Sequence, residues 1–181
     1  MNHALKRMMA SVAAAGMVIL VLTAGFYVAG ARINTTKSIP VGLYWTSYMP
    51  VEKIEKGAYV IFCPPQRSMF DEAKERGYIG AGYCPGRYSF MMKRVLATQD
   101  DVVSVSDKGV CVNDDLLPHS APLKVDNVGR PLPCYKVDRY TLGNTELLLM
   151  SDESATSFDG HYFGPINHSQ IKTVIFPVIT W

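Results

Sequence analysis

Residues 90–105 read Phe-Met-Met-Lys-Arg-Val-Leu-Ala-Thr-Gln-Asp-Asp-Val-Val-Ser-Val, and this stretch decides the fold. Met91 to Leu96 and Asp101 to Val105 are two β-prone apolar runs separated by polar turn residues, the pattern of consecutive strands. In the first run, alternation places Met91, Lys93 and Val95 on one face. A lysine on the apolar face of a strand is unusual, and it is the first residue here that asks for a chemical explanation.

Working outward, short β-rich runs continue on both sides, divided by Gly, Pro and Asp. Ala58–Phe62 is a strand candidate launched by Glu55-Lys56-Gly57 and stopped by Cys63-Pro64-Pro65. Gly109–Asn113 is another, with Asp114-Asp115 as turn residues after it, and Leu147–Met150 and Lys172–Ile179 complete the set. Helical periodicity is scarce. One insertion, Ser68–Gly77, has helical propensity, and Leu116–Pro133, rich in Pro and polar residues, reads as a loop or lid over the β scaffold. The expected fold class is mainly β.

The N-terminus differs in kind. From Met8 to Ala31 no charged residue occurs, and such a run is long enough to cross the ~30 Å hydrocarbon layer as a helix. Lys6 and Arg7 precede it and favour a cytoplasmic N-terminus, although Arg32 and Lys37 weaken the asymmetry. Ala29-Gly30-Ala31 is an A-x-A pattern that a cleavable signal would also show, but a signal's apolar region is usually ~7–15 residues. The expected division is residues 1–32 as a cytoplasmic N-terminus with one transmembrane helix, and 33–181 as a periplasmic β-rich domain. The protein would then be a single-pass protein of the inner membrane, with the lipid bilayer as a partner. Whether the N-terminal segment is trimmed stays open.

Four cysteines, Cys63, Cys84, Cys111 and Cys134, suit an exported domain. They admit three pairings. Cys63 with Cys84 and Cys111 with Cys134 is the one in which each bridge closes a local, loop-rich stretch, and it is the expectation. No zinc-type spacing links them to His119, His161 or His168, so neither metal nor cofactor is expected. A net charge of +2 without a Lys/Arg block argues against nucleic acid as a partner.

Ser38 lies seven residues after Ala31, so even a fully extended chain carries it no more than ~25 Å from the end of the apolar run. Pro40 and Gly42 impose a bend after it. A serine hydroxyl needs a base within hydrogen-bond reach, and an ordinary lysine amine is protonated at neutral pH unless burial or a nearby cation lowers its basicity. The apolar face holding Lys93 would supply that desolvation. Taken singly, a serine before Ile-Pro is an ordinary turn residue and a strand lysine an ordinary edge residue; the order of several blocks along one chain carries more.

Thr36-Lys37-Ser38-Ile39-Pro40-Val41-Gly42, Lys56–Phe62, Met92–Val103 and Ser157-Phe158-Asp159-Gly160-His161-Tyr162-Phe163-Gly164 together resemble the blocks of the type I signal peptidases. The likeness is greatest to the conjugative-transfer signal peptidases of the TraF type. That resemblance implies a Ser-Lys dyad, with Ser38 as nucleophile and Lys93 as general base. It implies an oxyanion hole from the Ser38 N–H and the Thr36 hydroxyl, and Ser157 orienting the amine. Asp159 would hold the loop or an arginine such as Arg94, and Ile39, Val41 and Phe62 would line substrate pockets for small residues. The substrate would be an exported pilin or preprotein.

Three departures stand out. The proline comes one position earlier than in the Ser-x-x-Pro form, His161 replaces an arginine, and Ser151-Asp152 replaces a Gly-Asp. Histidine would make a salt bridge from Asp159 dependent on pH. Two other readings share these residues: a general signal peptidase serving many presecretory proteins, and a non-enzymatic single-pass assembly factor for pilus or secretion subunits. Hydrolysis against transpeptidation, and the oligomeric state, are not legible in the residues.

Overall fold

In the computed structural model, which describes residues 3–47, 49–50, 53–151 and 153–181, the chain divides after Arg32 into two units. The first is α1 (His3–Ala29), 27 residues without an acidic side chain. At 1.5 Å per residue it is about 40 Å long, enough to cross a membrane by length and composition. Its two aliphatic hydroxyls bond within the helix, Ser11 donating to the Arg7 carbonyl and Thr23 to those of Ile19 and Leu20, as suits an apolar surrounding. After α1, β1 (Ala31–Asn34) straddles the boundary.

The second unit is mainly β. Its elements are β2 (Gly42–Ser47), β3 (Tyr59–Phe62), α2 (Ser68–Glu75), β4 (Ala81–Cys84), β5 (Met91–Ala97), β6 (Val102–Ser106), β7 (Gly109–Val112) and β8 (Asp115–Leu116). They continue with β9 (Val137–Thr141), β10 (Glu146–Met150), α3 (Gly160–Phe163), β11 (Ile166–Asn167) and β12 (Ile171–Thr180). A seven-stranded sheet runs in the order β1-β2-β12-β3-β5-β10-β11, and a four-stranded one β8-β7-β6-β9. The expected strands therefore form, with β5 near the middle of the larger sheet. Asn113 and Asp114, both at positive φ, make the two-residue turn from β7 to β8. The turn thus falls one residue earlier than expected, and Asp115 already belongs to a strand.

Two large apolar clusters, with a smaller one of Ile39, Tyr44, Ile61 and Ile175, hold the unit together. The larger joins Val60, Phe62, Val95, Leu147 and Leu149 of the main sheet to Phe70 of α2 and Phe163 of α3. The second packs Ala97, Leu148 and Met150 against Val103, Val105, Val110 and Val112 of the smaller sheet. The Ser68–Gly77 insertion is helical as expected, and it buries Phe70 and Ala73, one turn apart. Its Asp71 accepts from the Tyr88 hydroxyl at 2.7 Å and its Lys74 donates to the Gly86 carbonyl at 2.8 Å. The Leu116–Pro133 stretch docks on this lobe, with Asp126 accepting from the Tyr78 hydroxyl.

A disulfide joins Cys63 to Cys84, tying the end of β3 to the end of β4 around α2. Cys111 and Cys134 are free, which corrects the second expected bridge. Cys111 lies on β7, and Cys134 leads into β9 on the other side of β6. Two strand spacings are ~9–10 Å, beyond the ~7 Å that a disulfide spans between Cα atoms. Alkylation of the unreduced, denatured protein should therefore label two of the four cysteines, Cys111 and Cys134. Replacing Cys63 and Cys84 by serine should cost about 3 kcal/mol in a denaturant titration, whereas serine at 111 and 134 should change it little.

Candidate active site

The exposure along β5 alternates strictly, with Met91, Lys93, Val95 and Ala97 inward. Lys93 faces Val60 across the pair with β3 and has β10 on its other side, so its stem is enclosed and the residue is 1% exposed. Burial lowers the amine to about 8, against the opposing charge of Asp159, which raises it. Removing water from an ammonium favours its neutral form, and here that effect wins.

The Ser38 segment is organised by Asn34 at the end of β1. This buried side chain donates through Nδ2 to the carbonyls of Thr36, Ile39 and Pro40 at 2.7, 2.8 and 3.1 Å, and its Oδ1 accepts from the Thr36 N–H and hydroxyl. One amide thus fixes the backbone on both sides of Ser38. Tyr44, fully buried on β2, adds a hydrogen bond from its hydroxyl to the Pro40 carbonyl at 2.6 Å. Neither Asn34 nor Tyr44 is among the expected site residues. An Asn just ahead of Thr-Thr-Lys-Ser-Ile-Pro, a signal for side-chain bonding to the backbone of a turn, could have revealed the first.

Ser157 joins the two proposed partners. Its Oγ accepts from Lys93 Nζ at 2.5 Å and lies 3.4 Å from Ser38 Oγ, so the link from Lys93 to Ser38 runs through a third hydroxyl. Asp159, 1% exposed, accepts from the Ser151 N–H at 2.9 Å and the His161 N–H at 3.3 Å. It thereby closes the loop that carries Ser157. Ser151 Oγ caps the turn below by accepting from the N–H groups of Glu153 and Ser154; Asp152 lies outside the described residues.

Other expected residues fall elsewhere. Arg94 projects from the face of β5 opposite Lys93, donates to the Gly57 carbonyl at 3.2 Å and covers the Tyr59 ring. Asp159 is therefore held by backbone and by His161, not by Arg94. Phe62 is fully buried in the main core against Phe163 and lines neither of the cavities beside Ser38. Ile39 and Val41 line a cavity of about 580 Å³ with Lys37, Glu153 and Trp181. Ser38 and Lys93 instead open into another of about 250 Å³, whose walls include Asn34, Thr36, Met92 and Phe158. The Thr36 hydroxyl donates to Asn34, so it would have to turn to serve an oxyanion.

The family model "Signal peptidase, peptidase S26" matches residues 1–180. The chain belongs to the peptidase S26 signal peptidase family. A "Plasmid transfer protein TraF" of Escherichia coli is 69% identical over the whole of both chains. A second protein of that name and organism is 62% identical over 97% of this chain and 98% of its own. A "Conjugal transfer protein TraF" of Agrobacterium fabrum is 31% identical over 92% of each.

Two measurements test this geometry in the S26 chain. Asn34→Ala removes five hydrogen bonds around Ser38 and leaves carbonyls unpaired, so it should lower unfolding stability by about 2–4 kcal/mol. A loss below 0.5 kcal/mol would mean that the segment is fixed by other contacts. Lys93 sits near 8 when folded and ~10.4 unfolded, so between those values the unfolded state binds the extra proton and stability rises with pH. That rise, about 3 kcal/mol, should be present in wild type and absent from Lys93→Met when unfolding is compared from pH 7 to 10.5.

Proposed function

We propose that this S26 chain is a membrane-anchored serine endopeptidase that acts through a Ser38–Lys93 dyad and cuts an exported pilin-like propeptide during conjugative transfer. The observation that carries the reading is the buried Lys93 amine, lowered to about 8 and joined to Ser38 through one hydroxyl. In this reading Lys93 takes the Ser38 proton by way of Ser157 as Ser38 attacks the scissile carbonyl. It then gives that proton to the leaving amine. The Ser38 N–H and a turned Thr36 hydroxyl hold the developing oxyanion.

The acyl-enzyme is released by water or by an amine, and in the second case by the substrate's own N-terminus, giving a cyclic product. The small cavity beside Ser38 and Lys93 suits small side chains on the acyl side of the cut. The names of the relatives support conjugation as the setting. Lys6 and Arg7 near the start of α1 support an N-terminus in the cytoplasm, α1 in the inner membrane and the β domain in the periplasm.

The test is co-expression of the candidate pilin from the same plasmid with wild type, Ser38→Ala and Lys93→Ala, reading the pilin by intact mass. A mass loss seen only with wild type supports the peptidase, and a further loss of one water marks cyclisation. Equal masses in all three would leave the assembly-factor reading. With purified enzyme, kcat/KM should rise with pH through about 8 as Lys93 loses its proton. A rate independent of pH between about 6 and 10 would remove lysine as the base.

A further inference from the structure

His161 is fully buried, and neither ring nitrogen makes a hydrogen bond. Its Nδ1 nevertheless lies 2.6 Å from Asp159 Oδ1. The two groups are thus in close contact without the geometry of a hydrogen bond. Asp159 also acts on Lys93, favouring its charged form. One buried carboxylate therefore touches the imidazole and acts electrostatically on the Lys93 amine, and of these two bases Lys93 alone is taken up in the dyad.

A buried carboxylate without a cationic partner is costly, and so is a buried cation without a carboxylate. With one proton shared between Lys93 and His161, the trio is neutral. Two arrangements satisfy that condition. In one, Lys93 is an ammonium and His161 neutral, and the amine is useless as a base. In the other, His161 is an imidazolium beside Asp159, and Lys93 is a free amine facing Ser157. Either arrangement binds one proton, so interchange needs no outside donor.

We propose that His161 is a positioning residue that supplies Asp159 with its cation while Lys93 is in the free-base form. The inference rests on the dyad reading for its consequence in catalysis, but not for its test.

The other groups facing the imidazole do not compete for this part. Tyr162, with its ring 4.0 Å away on the same helix, and Tyr135, whose N–H donates to the His161 carbonyl at 3.3 Å, are phenols that burial pushes upward and therefore neutral. Cys134, next to Tyr135, is an exposed thiol. The strand against which α3 packs presents Leu148, Leu149 and Met150 around Gly160. Asp159 is thus the one acidic side chain among these neighbours, and Lys93 the other base.

The experiment follows the ¹³Cε resonance of Lys93 against pH in full-length protein in detergent, labelled with ¹³C-lysine and assigned by its loss in Lys93→Met. His161→Gln should raise the Lys93 midpoint by about one pH unit, because Asp159 then serves Lys93 alone. His161→Arg, a permanent cation, should lower it by a similar amount. In Asp159→Asn the residue at 161 should stop mattering.

Coincident titrations in wild type, Gln and Arg would overturn the inference. Should the 161 variants not fold, the ¹⁵N imidazole resonances of His161 decide it, since Lys93→Met leaves the ring untouched. At pH 7 the imidazolium fraction should be larger there than in wild type, and an unchanged fraction would refute the proposal. Neither readout needs turnover, so a chain that proves not to be a peptidase in the pilin assay would still answer the question.

Discussion

A lysine amine enclosed in the middle of a seven-stranded sheet is the constraint from which the rest of this domain follows. Its position is costly, because an ammonium there gives up its hydration and finds one hydroxyl and one carboxylate in exchange. The sheet makes that tolerable by geometry. With β3 and β10 on either side of β5, Nζ meets Ser157 at its outlet to the cavity shared with Ser38. Remove the strict alternation of β5 and Lys93 would join Met92 and Arg94 on the more open face, with its amine in water and its basicity ordinary.

Two devices hold the walls around that outlet. On one side Asn34 gathers the carbonyls that precede and follow Ser38, so the turn is fixed by a side chain where no regular hydrogen-bond ladder reaches. On the other, the lobe from Cys63 to Cys84 brings Tyr78 and Ile79 to the same cavity, with the disulfide restraining the lobe's base and Phe70 its interior. Both devices spend buried polar or covalent links to hold irregular backbone, which the strands themselves cannot do. Irregular backbone next to a rigid sheet is where binding groups generally sit.

Much of this was legible in the residues because the strongest signals were local. Alternation in residues 91–97 placed Lys93 correctly, and the cysteines that close a helical insertion are the ones that bond. What escaped depends on long-range arrangement. β2 and β9 carry exposed or mixed positions, since β9 is an edge strand and its Val-Asp-Arg-Tyr-Thr needs no apolar face. Phe62 reads as a plausible pocket wall until the pairing of β3 with β5 and β12 turns it into the core. Cys111 and Cys134 look close along the chain, yet β6 lies between β7, which carries Cys111, and β9, into which Cys134 leads. Arg94 adjoins Lys93 in sequence, and adjacency on a strand sends it to the opposite face.

Ser157 shows most directly how the protonation of one group can govern the site. A hydroxyl has one proton to donate and lone pairs to accept. While Lys93 is an ammonium it donates to Ser157, whose own proton is then directed at Ser38 Oγ. Ser38 in that state accepts a hydrogen bond, which occupies one of its two lone pairs. Once Lys93 is an amine the chain runs the other way, with Ser157 donating to Lys93 and accepting from Ser38. The heavy atoms need not move for this reversal, since at 3.4 Å either serine can be the donor. A static arrangement of three side chains therefore has an idle and a ready form that differ by one proton on Lys93 and by the directions of two hydroxyls. In the proposed dyad, the surroundings of Lys93, down to Asp159 and the imidazole behind it, would therefore bear on chemistry at Ser38.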